Sequence, residues 1–434
     1  MFIRLFISTL IFIFLTFPPA NSQELTDLIQ QHAVVFEDTH EVTELTNLIE
    51  NQTLVLMGEA SHGTNEYYTK RAAMSKHLTS ERGFNFIAVE GDWASFSRIN
   101  EYVKQKPGGP ETLDEAMSAV DRWPLWMWQN QEFKQLVEWV HKWNQDLPME
   151  DRIGIYGVDV YAHTSAMDDV VTWISELDSD LGRQAQESYS CMTRHSDIGD
   201  YIRMVQQTGE DCSADIEEVL TIVQDLEDHP ETDRWQFFRA EHGAKVAVNA
   251  EKHYRANLVR GPDRWNYRAN HFYLTAERLL NYYGDGSRGI IWAHNTHIGD
   301  ARATDMAQHG MQNIGQLSRE NLGRENVYAI GFGTFNGNVL AGREWEGEME
   351  NMTLPDARSE SWEYIMEQTG IEKFYLDLHQ EELQSALETW LPHRAVGVTY
   401  NPANEDGNYV QSVISDRYDA FIFIRTTHVL SPLD

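Results

Sequence analysis

Cysteine, lysine and long apolar runs are what this 434-residue chain has least of. Two cysteines, Cys191 and Cys212, cannot build a disulfide-framework fold, and no Cys-x-x-Cys or Cys/His spacing suits a structural zinc. Lys and Arg total 34, only nine of them Lys, against 68 Asp and Glu, so the net charge is −34. Such a chain repels phosphate backbones and anionic lipid, which argues against nucleic-acid partners and against stable membrane association. Beyond the N-terminus no stretch reaches the roughly 18 apolar residues of a membrane span. Neither a G-x-x-x-x-G-K-[ST] nor a G-x-G-x-x-G loop is read in the sequence, so a nucleotide cofactor is not expected. A G-x-S-x-G elbow for a serine nucleophile is also missing.

What is there begins with a targeting segment. Residues 1–22 carry one positive charge, Arg4, then a largely apolar run over 5–17, then Pro18, Pro19, Ala20, Asn21 and Ser22. Small residues at Ala20 and Ser22 predict signal-peptidase cleavage before Gln23, hence an exported protein, periplasmic or secreted. In an oxidising compartment Cys191 and Cys212 are expected to form a disulfide, two buried free thiols being the alternative.

With 41% hydrophobic residues the mature chain can bury a large core unaided. Short β-rich runs at 53–57, 84–89, 153–158, 289–293, 327–333, 373–378, 395–399 and 420–425 alternate with amphipathic stretches. That order predicts an α/β fold with a mainly parallel central sheet flanked by helices. From about 164 to 283 the sequence is acidic and helical, and is read as an insertion or lid. No repeat or linker interrupts 23–434, so one catalytic domain is expected.

The chemistry collects where strands end. "VLMGE" runs into "ASHGTNE", setting Glu59 and His62 just beyond a strand, with Gly58 and Gly63 to ease the turn. "IAVEGDW" brings Glu90, Asp92 and Trp93, "GIYGVDVY" brings Asp159, and "IIWAHNTHIGDAR" brings His294, His297, Asp300 and Arg302. The crevice beyond the carboxyl ends of parallel strands is where ligands bind, so these residues are expected to share one cleft, with Asp92, Trp93, Asp159, Asp300 and Arg302 on the substrate. The aromatic "RWPLWMWQNQEFKQLVEWVHKW" reads as core and cleft wall. Two water-activating mechanisms fit the cluster. A His paired with a carboxylate can act as general base, or Glu59, His62, Glu90, His294 and His297 can hold a divalent metal. A secreted small-molecule-binding protein without turnover is a third reading. Glu59 and Glu90 are expected to raise the pKa of His62 against the opposing effect of burial.

These residues carry a family resemblance. "GEASHGTNEYYTKRAAMSKHL", "GFNFIAVEGDWASFSRINEYV", "WMWQNQEFKQLVEWV", "GIYGVDVY", "AHNTHIGDARATDM", "NIGQLSRENLG", "GFGTFNG" and "RAVGVTYNP" together resemble the erythromycin esterase family, in order from about residue 54 to 425. The resemblance implies a hydrolase without a cofactor that opens a macrocyclic lactone such as a macrolide with water. It implies His62 as general base, Glu59 orienting it, Glu90, His294 and His297 completing the site, and Arg71 holding or polarising the ester. A macrolide carries a protonated amino sugar, which an acidic cleft would attract. The chain departs from the family pattern at Ala269, after Arg268, and at Asn408, before Tyr409.

Overall fold

A computed structural model describes residues 22–195 and 197–433; the expected targeting segment, residues 1–22, lies outside the described residues apart from Ser22, which opens a helix. Among the described residues the strands are β1 (Val34–Val35), β2 (Leu54–Met57), β3 (Phe86–Asp92), β4 (Gly154–Asp159), β5 (Gly289–Trp292), β6 (Val327–Gly333), β7 (Asn336–Gly342), β8 (Met349–Leu354), β9 (Lys373–Asp377), β10 (Trp390–Arg394), β11 (Tyr409–Val413), β12 (Ala420–Ile424) and β13 (Thr426–Thr427). Eight form the central sheet in the order β1-β9-β12-β6-β2-β5-β3-β4. From β12 to β4 all neighbours are parallel, while β9 and β1 are antiparallel at one edge.

Strands buried on both faces need apolar residues at every position. "LVLM", "FIAV" and "GIIW" meet that need, and alternation divides them between two cores. Leu54, Leu56, Phe86, Ala88, Tyr156, Val158 and Ile291 enter one cluster. Val55, Met57, Ile87, Val89, Ile155, Ile290 and Trp292 enter the other. The chain steps outward through β2, β3 and β4, returns with β5 into the gap between β2 and β3, then crosses β2 to place β6. The four strands that end in Glu, His or Asp are therefore contiguous: β2, β5, β3, β4.

Between β4 and β5 the described residues are helical throughout: His163–Leu177, Ser179–Thr193, Ile198–Thr208, Ser213–Asp225, Arg234–Arg255 and Asp263–Tyr283. Several of the acids that make this stretch polar cap its helices. Asp178, Asp197 and Asp233 each accept backbone N–H bonds at a helix start, an arrangement worth about 1 kcal/mol per cap. Met167, Val170, Trp173, Tyr189, Tyr201 and Val219 belong to a core separate from the two on the sheet. Cys191 and Cys212 are disulfide-bonded within it.

Three local expectations need correction. The run 395–399 is not a strand; the chain is extended one step earlier, in β10, which pairs antiparallel with β11, leaving Val396 and Thr399 single bridges to Ser61 and Gly342. β-branched residues at 396, 398 and 399 marked the region, but the strand that pairs, WLPHR, carries a proline and two basic residues, and its partner lies past an irregular loop. The hairpin β7–β8 went unread for a similar reason, its outer strand being largely exposed and polar. Gly58 and Gly63 are not left-handed turn residues. They allow close approach: a Cβ at Gly58 would sit 2.0 Å from Asn295 Oδ1, and one at Gly63 would sit 2.1 Å from the Leu340 carbonyl oxygen. Gly284-Asp285-Gly286-Ser287-Arg288-Gly289 has G-x-G-x-x-G spacing, but it leads from a helix into β5, the reverse of a phosphate-binding turn. Among the described residues no helix is long and apolar enough to cross a membrane.

Cys191 and Cys212 are 21 residues apart, and closing such a loop restricts the unfolded chain by roughly 3 kcal/mol in the chain-entropy model. The double variant Cys191→Ser/Cys212→Ser is expected to unfold at lower urea. A midpoint equal to that of the parent would show that the bond contributes nothing to stability.

Candidate active site

Beyond the carboxyl ends of β2, β5, β3 and β4 lies a cleft of about 290 Å³, floored by His62, Glu90, Asp92, Asp159, His294 and His297. Phe96, Met127, Trp128, Tyr161, Trp265 and Trp345 wall it. An irregularity in β3 between Val89 and Asp92 re-aims this strand end, so Glu90 and Asp92 both reach the cleft. His294 caps the one-turn helix Asn295–Ile298, and the three-residue spacing puts His297 on the same side.

His62 is anchored from below. Glu59 is wholly buried; its Oε1 lies 2.9 Å from His62 Nδ1, and its Oε2 accepts a bond from Arg71 Nη2 at 2.7 Å. A carboxylate only accepts, so Nδ1 carries the proton and Nε2 is left as the basic nitrogen. Burial pulls the His62 pKa down, yet the Glu59 hydrogen bond and the Glu90 and Glu59 charges outweigh it, and the net direction is up. This is the direction the sequence predicted.

His294 and His297 behave differently. The Thr296 N–H points at His294 Nδ1, 3.3 Å away, which makes Nδ1 an acceptor and puts the proton on Nε2. That Nε2 lies outside ideal hydrogen-bond geometry, with the Ala60 carbonyl, which also accepts from Val396 N–H, as its nearby acceptor. His297 Nε2 lies 3.0 Å from Arg268 Nη1 and 3.3 Å from Glu90 Oε1. The two contacts demand opposite roles of Nε2. We assign it as acceptor, because the guanidinium can only donate and is closer. His297 Nδ1, buried and unpartnered, then bears the hydrogen. Burial lowers both pKa values, that of His294 strongly with His62 adding to it, so both rings are neutral where His62 titrates. The His297 ring stacks on Trp265 with centroids 4.5 Å apart.

The carboxylates of the cleft are engaged. Arg268 binds Asp159 through Nε at 2.9 Å and Nη2 at 2.6 Å, and Glu90 Oε1 at 2.8 Å. Glu90 Oε2 accepts the His294 N–H at 2.9 Å. Burial would raise the Glu90 pKa, but the Arg268 guanidinium and His62 hold it well below the usual carboxylate range. Asp92 pairs with Arg122 through two bonds of 2.7 and 3.1 Å; burial still moves its carboxyl upward, while Arg122 is held more firmly charged. Local charge in the cleft is therefore much closer to balance than the charge of the whole chain. Among the described residues no three His, Cys, Asp or Glu side chains converge as a metal-ligand set, because salt bridges occupy the oxygens such a set would use.

Other expected site residues lie elsewhere. Arg71 does not reach the cleft: it is fully buried beneath Glu59, with its guanidinium against the rings of Tyr68 and Trp292. Trp93 turns away into the core under the helical segment, near Tyr156 and His242, and bonds the Arg239 carbonyl. Asp300 and Arg302 pair with each other, and Asp300 also with Arg319, in a structural ion network that extends to Asp419. Both follow the one-turn helix and are carried off the cleft by the turn at Gly299. The sequence reading did not assign Arg268, Tyr161, Trp265 or Trp345 to the site, and it took Arg122 only as the first residue of the aromatic cleft wall. Trp265 and Arg268 share a helix face at three-residue spacing, the one signal that pairs them. Tyr161 lies between the two guanidiniums, 4.8 Å from Arg122 and 5.1 Å from Arg268.

A family model described as erythromycin esterase matches residues 79–427, most of the chain. The chain belongs to the erythromycin esterase family. The matched span begins after Glu59, His62 and Arg71. YbfO of Bacillus subtilis (strain 168), named as a candidate hydrolase, is 18% identical over 407 residues, 88% of this chain and 85% of the relative. A crystal structure of a Bacillus cereus protein superposes with a TM-score of 0.80 at 18% identity, over 96% of this chain and 100% of the other. A histidine-to-asparagine mutant of the erythromycin esterase EreC in its open conformation superposes with a TM-score of 0.67 at 16% identity, over 90% of this chain and 95% of that one. At these identities the structures establish the fold: a mostly parallel sheet flanked by helices. Family membership makes hydrolysis the class of reaction.

Arg71→Met would leave the buried Glu59 charge unpaired, at a cost of about 3–5 kcal/mol. Adding Glu59→Gln should recover part of that loss, whereas Arg302→Ala, which removes a half-exposed guanidinium from an Asp300 that keeps Arg319, should change stability by about 1 kcal/mol or less. Thermal unfolding of the variants checks the order. An Arg71→Met protein as stable as the parent would contradict the assigned pairing.

Proposed function

We propose that the protein hydrolyses a carboxylic ester, in particular a macrocyclic lactone such as a macrolide, through a water activated by His62. The observation that carries this reading is the buried Arg71–Glu59–His62 array, which presents one basic nitrogen to the cleft. His62 Nε2 takes a proton from water as the oxygen attacks the carbonyl carbon. We assign stabilisation of the oxyanion that forms to the neutral rings of His294 and His297, which line the cleft. Collapse breaks the C–O bond, and the alkoxide takes the proton back from His62, leaving an acid and an alcohol. Glu59 favours the imidazolium between the two transfers, and Arg71 holds Glu59. Asp159 and Glu90 hold Arg268, which fixes the His297 tautomer. The engaged carboxylates favour this route over metal-bound water, and the reading includes export to the periplasm or beyond. The partner it implies is a small-molecule ester or lactone, without nucleic acid or stable membrane association.

His62→Ala should lower kcat/KM on an ester and macrolide panel by about 100- to 10,000-fold while the protein stays folded. The base works only when neutral, so a raised pKa moves the acid limb of kcat/KM above the ordinary histidine value of about 6.5. Activity falls as pH drops through that limb. Glu59→Gln, which removes the charge that favours the imidazolium, should shift the limb to lower pH and slow the reaction. Mass spectrometry should find macrolide products heavier by one water. A flat profile down to about pH 5 would rule out control by such a histidine.

Exhaustive chelation should leave activity intact, and elemental analysis should find no stoichiometric zinc or manganese. Loss of activity that returns with added metal would transfer the role of His62 to a bound ion.

A further inference from the structure

At the opposite end of the sheet from the cleft, four cations cluster in a chain dominated by acids. Lys104 ends the helix Trp93–Lys104, only 5% exposed, with its ammonium 4.7 Å from the centre of the Tyr283 ring. Lys106 lies over Trp235 at 5.4 Å, and Arg234 over Tyr282 at 4.6 Å. Arg152 and Arg234 spend their side-chain hydrogen bonds on backbone carbonyls, those of Leu147, Lys104 and Tyr282. Among the described residues none of the four forms an ion pair with a carboxylate. The acids nearest Lys106 are engaged elsewhere: Glu101 with Arg98, Arg239 and Trp235 Nε1, Asp233 with the N–H groups of Trp235 and Gln236.

A buried ammonium with neither a carboxylate nor a carbonyl partner is costly, and a π face compensates only in part. The charged groups that act on Lys104 are Lys106, Arg152 and Arg234, all of the same sign, and burial together with these neighbours pushes its pKa down to about 7. Asp233 and Glu101 offset part of the charge at Lys106 without forming an ion pair, while no carboxylate acts on Lys104, so the four cations keep an excess of positive charge in a chain with 34 acids in excess.

We infer that Lys104, Lys106, Arg152 and Arg234 form a binding site for a phosphate group, either free phosphate or a phosphomonoester. The site supplies ammonium and guanidinium donors from two parts of the chain, the strand-and-helix body through Lys104, Lys106 and Arg152 and the helical segment through Arg234. A bound phosphate ties the start of the helix Arg234–Arg255 to the end of Trp93–Lys104. It lies far from the catalytic cleft and does not depend on the proposed hydrolysis.

The test is thermal unfolding and isothermal calorimetry of the full mature chain with inorganic phosphate or phenyl phosphate, against sodium chloride of equal ionic strength. Saturable binding is expected, with a Tm rise of roughly 2 °C or more beyond the chloride control. Phenyl phosphate binding more tightly than phosphate identifies an ester source, and the reverse order identifies the free ion. Lys104→Met should abolish the rise. Because that core change can itself unfold the chain, the half-buried Lys106→Ala and the exposed Arg234→Ala provide the second arm, each expected to weaken binding at least about tenfold. Phosphate acting no more strongly than chloride, or all three variants keeping the full effect, overturns the site.

Discussion

The carboxylate of Glu59 is the group on which the site depends. It lies beyond the central strand of the parallel sheet, out of reach of water, between a guanidinium and an imidazole. A buried charge of this kind is stable only while both partners hold, which couples the folding of the helix Asn65–Glu81, where Arg71 resides, to the protonation behaviour of His62. The same carboxylate fixes the His62 tautomer and raises its pKa. One ion pair therefore links the stability of the core to the chemistry at its surface.

A second set of charges organises the opposite wall. Arg268 takes two carboxylates and a ring nitrogen, and Arg122 takes a third carboxylate, with Tyr161 between the two guanidiniums. In so acidic a chain this keeps the cleft from becoming an anionic well. What it exposes instead is a near-neutral aromatic surface with three imidazoles at its base, suited to an uncharged ester carbonyl.

Much of this was legible in the sequence because parallel sheets bring strand ends together. Glu59, His62, Glu90, Asp92, Asp159, His294 and His297 each follow an apolar run by a few residues, and topology alone assembles them. Arg71 was legible as important but not as buried, since nothing in a helical sequence tells which side of a carboxylate an arginine approaches. Asp300 and Arg302 share the motif of His297, yet a turn of backbone separates them from it. Arg268, Trp265 and Trp345 come from a helix and a hairpin tip whose distance from the strands depends on tertiary packing, which hydrophobic period does not encode. The strand at 390–394 was misplaced because Pro392, His393 and Arg394 hide its extended character, while the β-branched residues that follow it lie in a loop.

The helical segment between β4 and β5 has its own core and its own disulfide, but its first and last stretches do not stay within it. Tyr161, just before it begins, and Trp265 and Arg268, in its final helix, form one side of the cleft. Any change in how this lobe leans on the sheet moves those three side chains together, and Arg268 carries the change to Glu90, Asp159 and His297 at the strand ends. Substitutions scattered through the lobe, remote from His62, thereby act twice, on the shape of the opening through Tyr161 and Trp265 and on the charges that His62 faces through Arg268 and Glu90.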